Sequence, residues 1–337
     1  MKAVSYTSNG PAKDVLEYSD LPDPTPGAGE VLIKLHSSGV NPSDVNTRAG
    51  LLWPMTAPRT ILHSDGAGVI EAVGKGVDQA RIGERVWTYN VNRTEDGMGQ
   101  GANGTCAEYT AVSSALAVRL PDGIGMTAAA ALGVPAMTAH AALLTDGPVK
   151  DMSVLVTGGA GAVGSAAIQI AKWAGASRIV ATVSSQAKAN AATQDGADAT
   201  VNYKENSAPD DLAEALLVAN GGERFHRLVD VDFGSHIALA ADILHPNSVI
   251  GTYASMTHPK PTIDFYPLME SGIIMRLIEI YAQAPDRFKE IYTGVNRALE
   301  DGALTPRIDS IYPLTETVAA HERVESGSQI GNVIVEI

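Results

Sequence analysis

The sequence predicts an α/β chain of two domains, one β-rich and one built on a doubly wound parallel sheet, and three observations carry that reading. Up to about Asp122, short β-branched and aliphatic runs are cut by turn residues at frequent intervals. From Thr127 the texture becomes Ala-rich, then alternates strand and helix patterns, as parallel α/β units do. Between these textures, Ser153 to Thr157 is a short apolar run followed by glycines spaced G-x-G-x-x-G at Gly159, Gly161 and Gly164. A length of 337 residues suits two domains.

In the first part, strands are expected at Lys2 to Tyr6, Val31 to His36, Gly68 to Val73, Arg85 to Tyr89 and Ala107 to Val112. The Leu21 to Gly27 run, Leu-Pro-Asp-Pro-Thr-Pro-Gly, has a linker's composition but strand patterns on both sides, so it reads as a stiff surface loop. Ile124 to Leu144 carries no charge. It is mostly small residues, interrupted by Pro135 and His140, and reads as a buried helix pair rather than a membrane span. Beyond the glycines, strands are expected at Arg178 to Val183, Thr200 to Asn202, Arg227 to Val231, Val249 to Tyr253 and Ile273 to Tyr281. A helix from Pro285 to about Leu299, a strand near Arg307 to Tyr312, a helix from Thr315 to Glu325 and a strand at Asn332 to Ile337 complete the chain.

The glycine stretch carries the most specific chemistry. Val163, Ala167, Ile170, Ala171 and Ala174 recur at helical spacing after it, so strand, turn and helix stand in the order a dinucleotide site needs. One glycine permits the tight turn, one lets backbone amides approach a pyrophosphate, and one lets helix and strand pack closely. Gly158, Gly159, Ala160, Gly161, Ala162, Val163 and Gly164 are the residues offered to that phosphate, at a helix N-terminus where free amides favour negative charge. An NAD enzyme carries an acid about 20 residues further on. Here Thr182 to Lys188 has none; Ser184, Ser185 and Lys188 suit a 2′-phosphate, with a solvated helix residue as the plain alternative for Lys188.

Composition narrows the rest. A net charge of −14 with no Lys/Arg cluster argues against nucleic acid as a partner. The single cysteine, Cys106, excludes an internal disulfide or a multi-cysteine zinc site and fits a reducing cytoplasm. The opening Met-Lys-Ala-Val-Ser-Tyr lacks a signal peptide's apolar segment. The apolar run at Ile273 to Tyr281, expected at a sheet edge, invites pairing with a second copy, which makes a homodimer the expected assembly.

Several stretches carry a family resemblance along the whole chain: Met1 to Val4, Gly39-Val-Asn-Pro-Ser-Asp-Val-Asn-Thr-Arg-Ala-Gly50, Asp65-Gly-Ala-Gly-Val-Ile-Glu-Ala-Val-Gly74, Gly83-Glu-Arg-Val86, Ala107-Glu-Tyr109, the glycine loop and His321-Glu322. The chain resembles the zinc-free medium-chain dehydrogenases/reductases of the quinone oxidoreductase, or zeta-crystallin-like, family. The resemblance implies a GroES-like catalytic domain from residues 1–123 and 283–337 around a Rossmann domain at 124–282. It places Asn41, Asp44, Arg48 and Thr138 near the nicotinamide and the acceptor, in a cleft between the domains. Backbone from Gly251 through Tyr253 to Ala254 is placed against the cofactor, and Tyr203 beside Lys188 at the 2′-phosphate. It also marks departures, with Gly327 where some members have a phosphate-binding arginine and Asn46 where many have a tyrosine.

The zinc alcohol dehydrogenases of the same superfamily place Cys at the position of Asn41 and His at that of Ser64. Neither residue here is a useful zinc ligand, and His63 before a turn reads as structural. Asn41 suits a donor to an oxygen that gains negative charge, or else a turn residue before Pro42. Asp44 and Arg48 also read as an ion pair, and Glu108, Asp230 and Asp232 as loop-ordering. The expected function is an NADPH-dependent, zinc-independent reduction of a quinone or similar conjugated carbonyl. Reduction of an activated C=C bond is the nearest alternative, and an NADPH-binding structural protein of crystallin type the more distant one.

Overall fold

The computed structural model describes residues 1–94 and 99–337. The chain divides into two units, Met1–Pro135 with Tyr281–Glu300 and Pro306–Ile337, and Ala136–Ile280 with Asp301–Thr305. The first division therefore falls at Pro135, and Asp301–Thr305 goes with the second unit.

The first unit is a GroES-like β structure. Its main sheet runs Ile308–Pro313, Asn332–Glu336, Glu30–Val40, Asp65–Val73, Arg85–Thr88 and Ala117–Arg119, with Tyr109–Ser113 also paired to Glu30–Val40. The last strand, Asn332–Glu336, lies antiparallel to Glu30–Val40, so the chain's end completes this sheet. Val31, Ile33 and Leu35 point to one core with Ile70, Val86 and Val112, as period-two alternation requires. Glu30–Val40 runs further than its apolar pattern because the buried Ser37, Ser38 and Gly39 continue the pairing with Asp65–Ala67. At Gly39 a Cβ would stand 2.3 Å from the Ala130 carbonyl oxygen, so only glycine allows that approach.

A second small sheet pairs Lys2–Tyr6 with Glu17–Asp20 and Thr60–Ile61. Met126–Ala129 and Met137–Leu144 form the expected helix pair, joined by a π-turn at Leu132–Ala136 that holds Pro135. Among the described residues no helix is long and apolar enough to cross a membrane.

The second unit is a Rossmann sheet of six parallel strands, in the order Ala199–Asn202, Arg178–Val183, Ser153–Val156, Phe225–Asp230, Leu244–Thr252 and Ile274–Leu277. The order reverses between the strands beginning at Ser153 and Phe225, the place where such sheets bind ligands beyond their carboxyl ends. Ala162–Trp173 packs on the sheet and on Met137–Leu144, with Ala166, Ala167, Ile170 and Ala171 buried. The edge strand is shorter than the apolar run suggests. It ends at Leu277, and a 3-10 turn at Ile280–Ala282 leads Tyr281 into the first unit.

Candidate active site

The glycine loop leaves the carboxyl end of Ser153–Val156 and enters Ala162–Trp173, whose N-cap is Gly161. The turn is made at Gly158, with φ of 65°, one residue ahead of the three spaced glycines. Gly159 serves packing, since a Cβ there would lie 2.6 Å from the Ala181 side chain. At Gly164 a Cβ would lie 2.3 Å from the Gly158 carbonyl, so the third glycine allows the close approach of helix and turn. Gly161 meets only the Gly158 carbonyl, at 3.3 Å. The first helical bond runs from Ser165 N to Gly161 O, which leaves the amides of Ala162, Val163 and Gly164 pointing outward for an anion.

Thr182 fixes the loop from the neighbouring strand, accepting from Gly158 N through its hydroxyl at 3.0 Å and from Gly159 N through its carbonyl at 3.0 Å. Asp230, buried at the end of Phe225–Asp230, accepts from Thr157, Asp232 N and His236, and so orders the adjacent turn. Tyr253 follows Leu244–Thr252, and its amide donates to the Asp230 carbonyl. Gly251 lies against helix Met137–Leu144, where a Cβ would sit 2.4 Å from the Ala142 carbonyl; Thr138 is buried in that helix.

Ser184, Ser185, Lys188 and Tyr203 gather beyond the ends of the neighbouring strands Arg178–Val183 and Ala199–Asn202. Ser185 caps helix Gln186–Asp195, its Oγ accepting from the Lys188 amide, and Tyr203 N donates to the Val183 carbonyl at 3.1 Å. The Tyr203 ring is 42% exposed, so this corner opens to solvent and can admit a charged group.

In the first unit, Asn41 is 4% exposed and caps the helix Pro42–Arg48, with Pro42 supplying a first turn that needs no amide donor. Its backbone N–H donates to Asp44 Oδ2 at 2.9 Å, and its side-chain Nδ2 donates to Asp65 Oδ2 at 2.7 Å. The capping position leaves the amide able to donate twice, since its nitrogen carries two protons and Asp65 takes one. Asp65 also accepts from Val134 N at 2.8 Å, while its Oδ1 and that of Asp44 have no hydrogen-bond partner among the described residues. Burial pushes the Asp65 carboxyl up to about 8, with the charge of Asp44 adding to it, and burial pushes Asp44 up to about 6.

Arg48 corrects an expectation. It forms no ion pair with Asp44; wholly buried, its guanidinium donates to the Gly10 carbonyl and to Glu325 near the C-terminus. His63, at φ of 72°, meets Ser38 Oγ at 2.8 Å and His321 Nε2 at 2.9 Å, and burial lowers it to about 3. Both histidines are neutral framework residues. Sequence reasoning missed Arg93 and Tyr281. The Tyr281 hydroxyl meets Ser43 Oγ at 2.6 Å, two residues from Asn41, and its ring lies under the Arg93 guanidinium. They are distant along the chain and share no motif with Asn41, so spacing offered no signal.

Residues 27–122 match the family model of the alcohol dehydrogenase GroES-like domain, and residues 162–294 that of the zinc-binding dehydrogenases. Human quinone oxidoreductase is 30% identical over 338 aligned residues, spanning 97% of this chain and 95% of the human protein. This chain belongs to the quinone oxidoreductase family. Another relative, the 2-methylene-furan-3-one reductase of Solanum lycopersicum, is 32% identical over 320 residues, which span 93% of this chain and 79% of that protein. The structure of a mycobacterial protein in complex with NADPH is similar over the full length of both chains, with a TM-score of 0.86 and 27% identity.

The zinc that one of these models names does not fit this quinone oxidoreductase family member. At the expected ligand positions stand an amide and a hydroxyl, already committed to Asp65 and, from Ser64 Oγ at 2.5 Å, to Asn92. Among the described residues no group of three or more His, Cys, Asp or Glu is arranged to hold a metal ion.

Proposed function

We propose that this protein is an NADPH-dependent, zinc-independent reductase of a quinone or similar conjugated carbonyl. The observation that carries this reading is the pairing of an open glycine-loop helix end with a corner of Ser184, Ser185, Lys188 and Tyr203 whose Thr182 to Lys188 turn has no acid, in a chain of this family. NADPH, when bound, supplies the hydride. Ala162, Val163 and Gly164 offer amides to the pyrophosphate, and Lys188 with the two serines offers charge and donors to the 2′-phosphate.

Asn41 is the proposed donor to the acceptor oxygen. Its second Nδ2 proton stabilises negative charge that develops there, while Asp65 and Asp44 hold the amide and its turn in place. Thr138, Gly251 and Tyr253 are proposed to bound the nicotinamide, and Arg48 to brace the helix that carries Asn41. A proton from water completes the reduction. The reading rests on turnover, so the test is NADPH oxidation against a panel of quinones and enones. No acceptor-dependent oxidation, with NADPH still bound, would leave the protein in the binding-only class.

A second reading, reduction of an activated C=C bond, has the tomato relative in its favour. The same donor stabilises an enolate oxygen, so Asn41 serves both. The edge strand Ile274–Leu277 is exposed along its whole length, and Phe265, Tyr266 and Met269 are exposed beside it in the chain, so the proposed assembly is a homodimer paired through that edge. A reducing cytoplasmic setting suits the single, buried Cys106, whose thiol burial pushes up to about 12.

A further inference from the structure

Arg93 is a buried cation that no acceptor among the described residues answers. It is 9% exposed, and its Nε, Nη1 and Nη2 have no hydrogen-bond partner among the described residues. The guanidinium carbon lies 3.8 Å from the centroid of the Trp53 ring and 3.9 Å from that of Tyr281, with the two rings edge to face. Aromatic faces attract a cation, but a ring gives the guanidinium N–H groups no oxygen acceptor. Arginine cannot escape the cost by losing its proton, so a buried guanidinium without an acceptor calls for an anion. Asp44 and Asp65 lie near enough to feel its charge, yet neither accepts a bond from it.

The surroundings hold that cation next to the acceptor residues. Tyr281 is tied to Ser43 through its hydroxyl and to Asn90 through its carbonyl, which accepts from Asn90 Nδ2 at 3.1 Å. Arg93, Asn90 and Tyr281 line a cavity of about 750 Å³ with apolar Val112, Leu116 and Phe288, a size that admits a small conjugated molecule. Among the described residues lining it, Arg93 is the one basic side chain; the one acid, Glu30, accepts from Gly27 N at 2.7 Å.

We propose that Arg93 is a specificity-determining residue that selects acceptors bearing a carboxylate, which it receives on the free edge of its guanidinium. The planar fork, positioned against two rings, suits the two oxygens of a carboxylate better than a single oxygen. This rests on the reading of the Asn41 region as the acceptor site.

The experiment compares trans-3-benzoylacrylate with its methyl ester as NADPH-dependent acceptors, in the wild-type chain, Arg93→Met and Arg93→Lys. The expected result is a wild-type kcat/KM ratio of acid to ester above one. That ratio should fall about tenfold to a hundredfold in Arg93→Met, mainly through KM, with partial recovery in Arg93→Lys. A wild-type preference for the ester, or a ratio unchanged in Arg93→Met, overturns the proposal while leaving the reductase reading intact. If neither acceptor turns over, or the variants do not fold, calorimetry on the wild-type chain decides. Binding of sodium benzoate with no binding of benzamide supports the proposal, and equal binding of the two, or none of either, contradicts it.

Discussion

The side-chain amide of Asn41 donates to the carboxyl of Asp65 across 2.7 Å, and Asp65 is wholly buried. Burial raises that carboxyl from 3.8 to about 8, with Asp44 adding to the effect. The folded chain therefore keeps a proton that the unfolded chain releases, and stability falls as pH rises between those two values. Asp44, raised to about 6, acts in the same sense, whereas His63, lowered to about 3, removes stability as pH falls below 6.5. Between pH 6.5 and 9 the carboxyl effect stands apart from that of His63. Asp65→Asn should show a shallower loss of unfolding midpoint across that range, by roughly 2 to 4 °C for each kcal/mol removed. Parallel slopes in wild type and variant would show that Asp65 is ionised in the fold.

Asn41→Ala should lower turnover by on the order of a hundredfold, with a smaller effect on acceptor binding, because the contact strengthens only as charge develops. Steady-state kinetics decide it. A variant within about threefold of wild type would leave Asn41 with its capping role alone.

Lys188→Ala should raise the dissociation constant for NADPH by about ten- to a hundredfold and leave that for NADH nearly unchanged. Titration of cofactor fluorescence measures both. Equal weakening of the two would place Lys188 away from the 2′-phosphate.

Met275→Asp, on the exposed edge strand, should shift the protein from dimer to monomer in light scattering at micromolar concentration, since a charge there opposes edge pairing. An unchanged dimer would move the interface elsewhere, and a wild-type monomer would refute the assembly.

Much of this was legible in local pattern. The Rossmann strands and the glycine-loop helix follow from runs at periods of two and 3.6, and Arg178–Val183 falls where its apolar run lies. Local pattern failed where tertiary contacts decide. The exposed, charged Glu17–Asp20 strand exists because Lys2–Tyr6 pairs with it, and no apolar alternation announced it. The turn falls at Gly158, ahead of the three spaced glycines, since φ at a glycine pair is set by how the helix packs. Arg48 found Glu325 instead of Asp44 because the C-terminal helix returns to the first unit, which no spacing near Arg48 records. Arg93 and Tyr281 meet because the chain re-enters the first unit at Tyr281.

The central claim is hydride transfer from NADPH to a conjugated acceptor without metal. Its most direct measurement uses chelator-treated enzyme and NADPH deuterated at the transferring C4 position, with a para-quinone and an enone in parallel. One NADPH consumed per quinone reduced is expected, with turnover slowed by deuterium where the transfer limits the rate and carbon-bound label in any reduced enone. Activity lost with bound zinc, or acceptor reduction that consumes no NADPH, would contradict it.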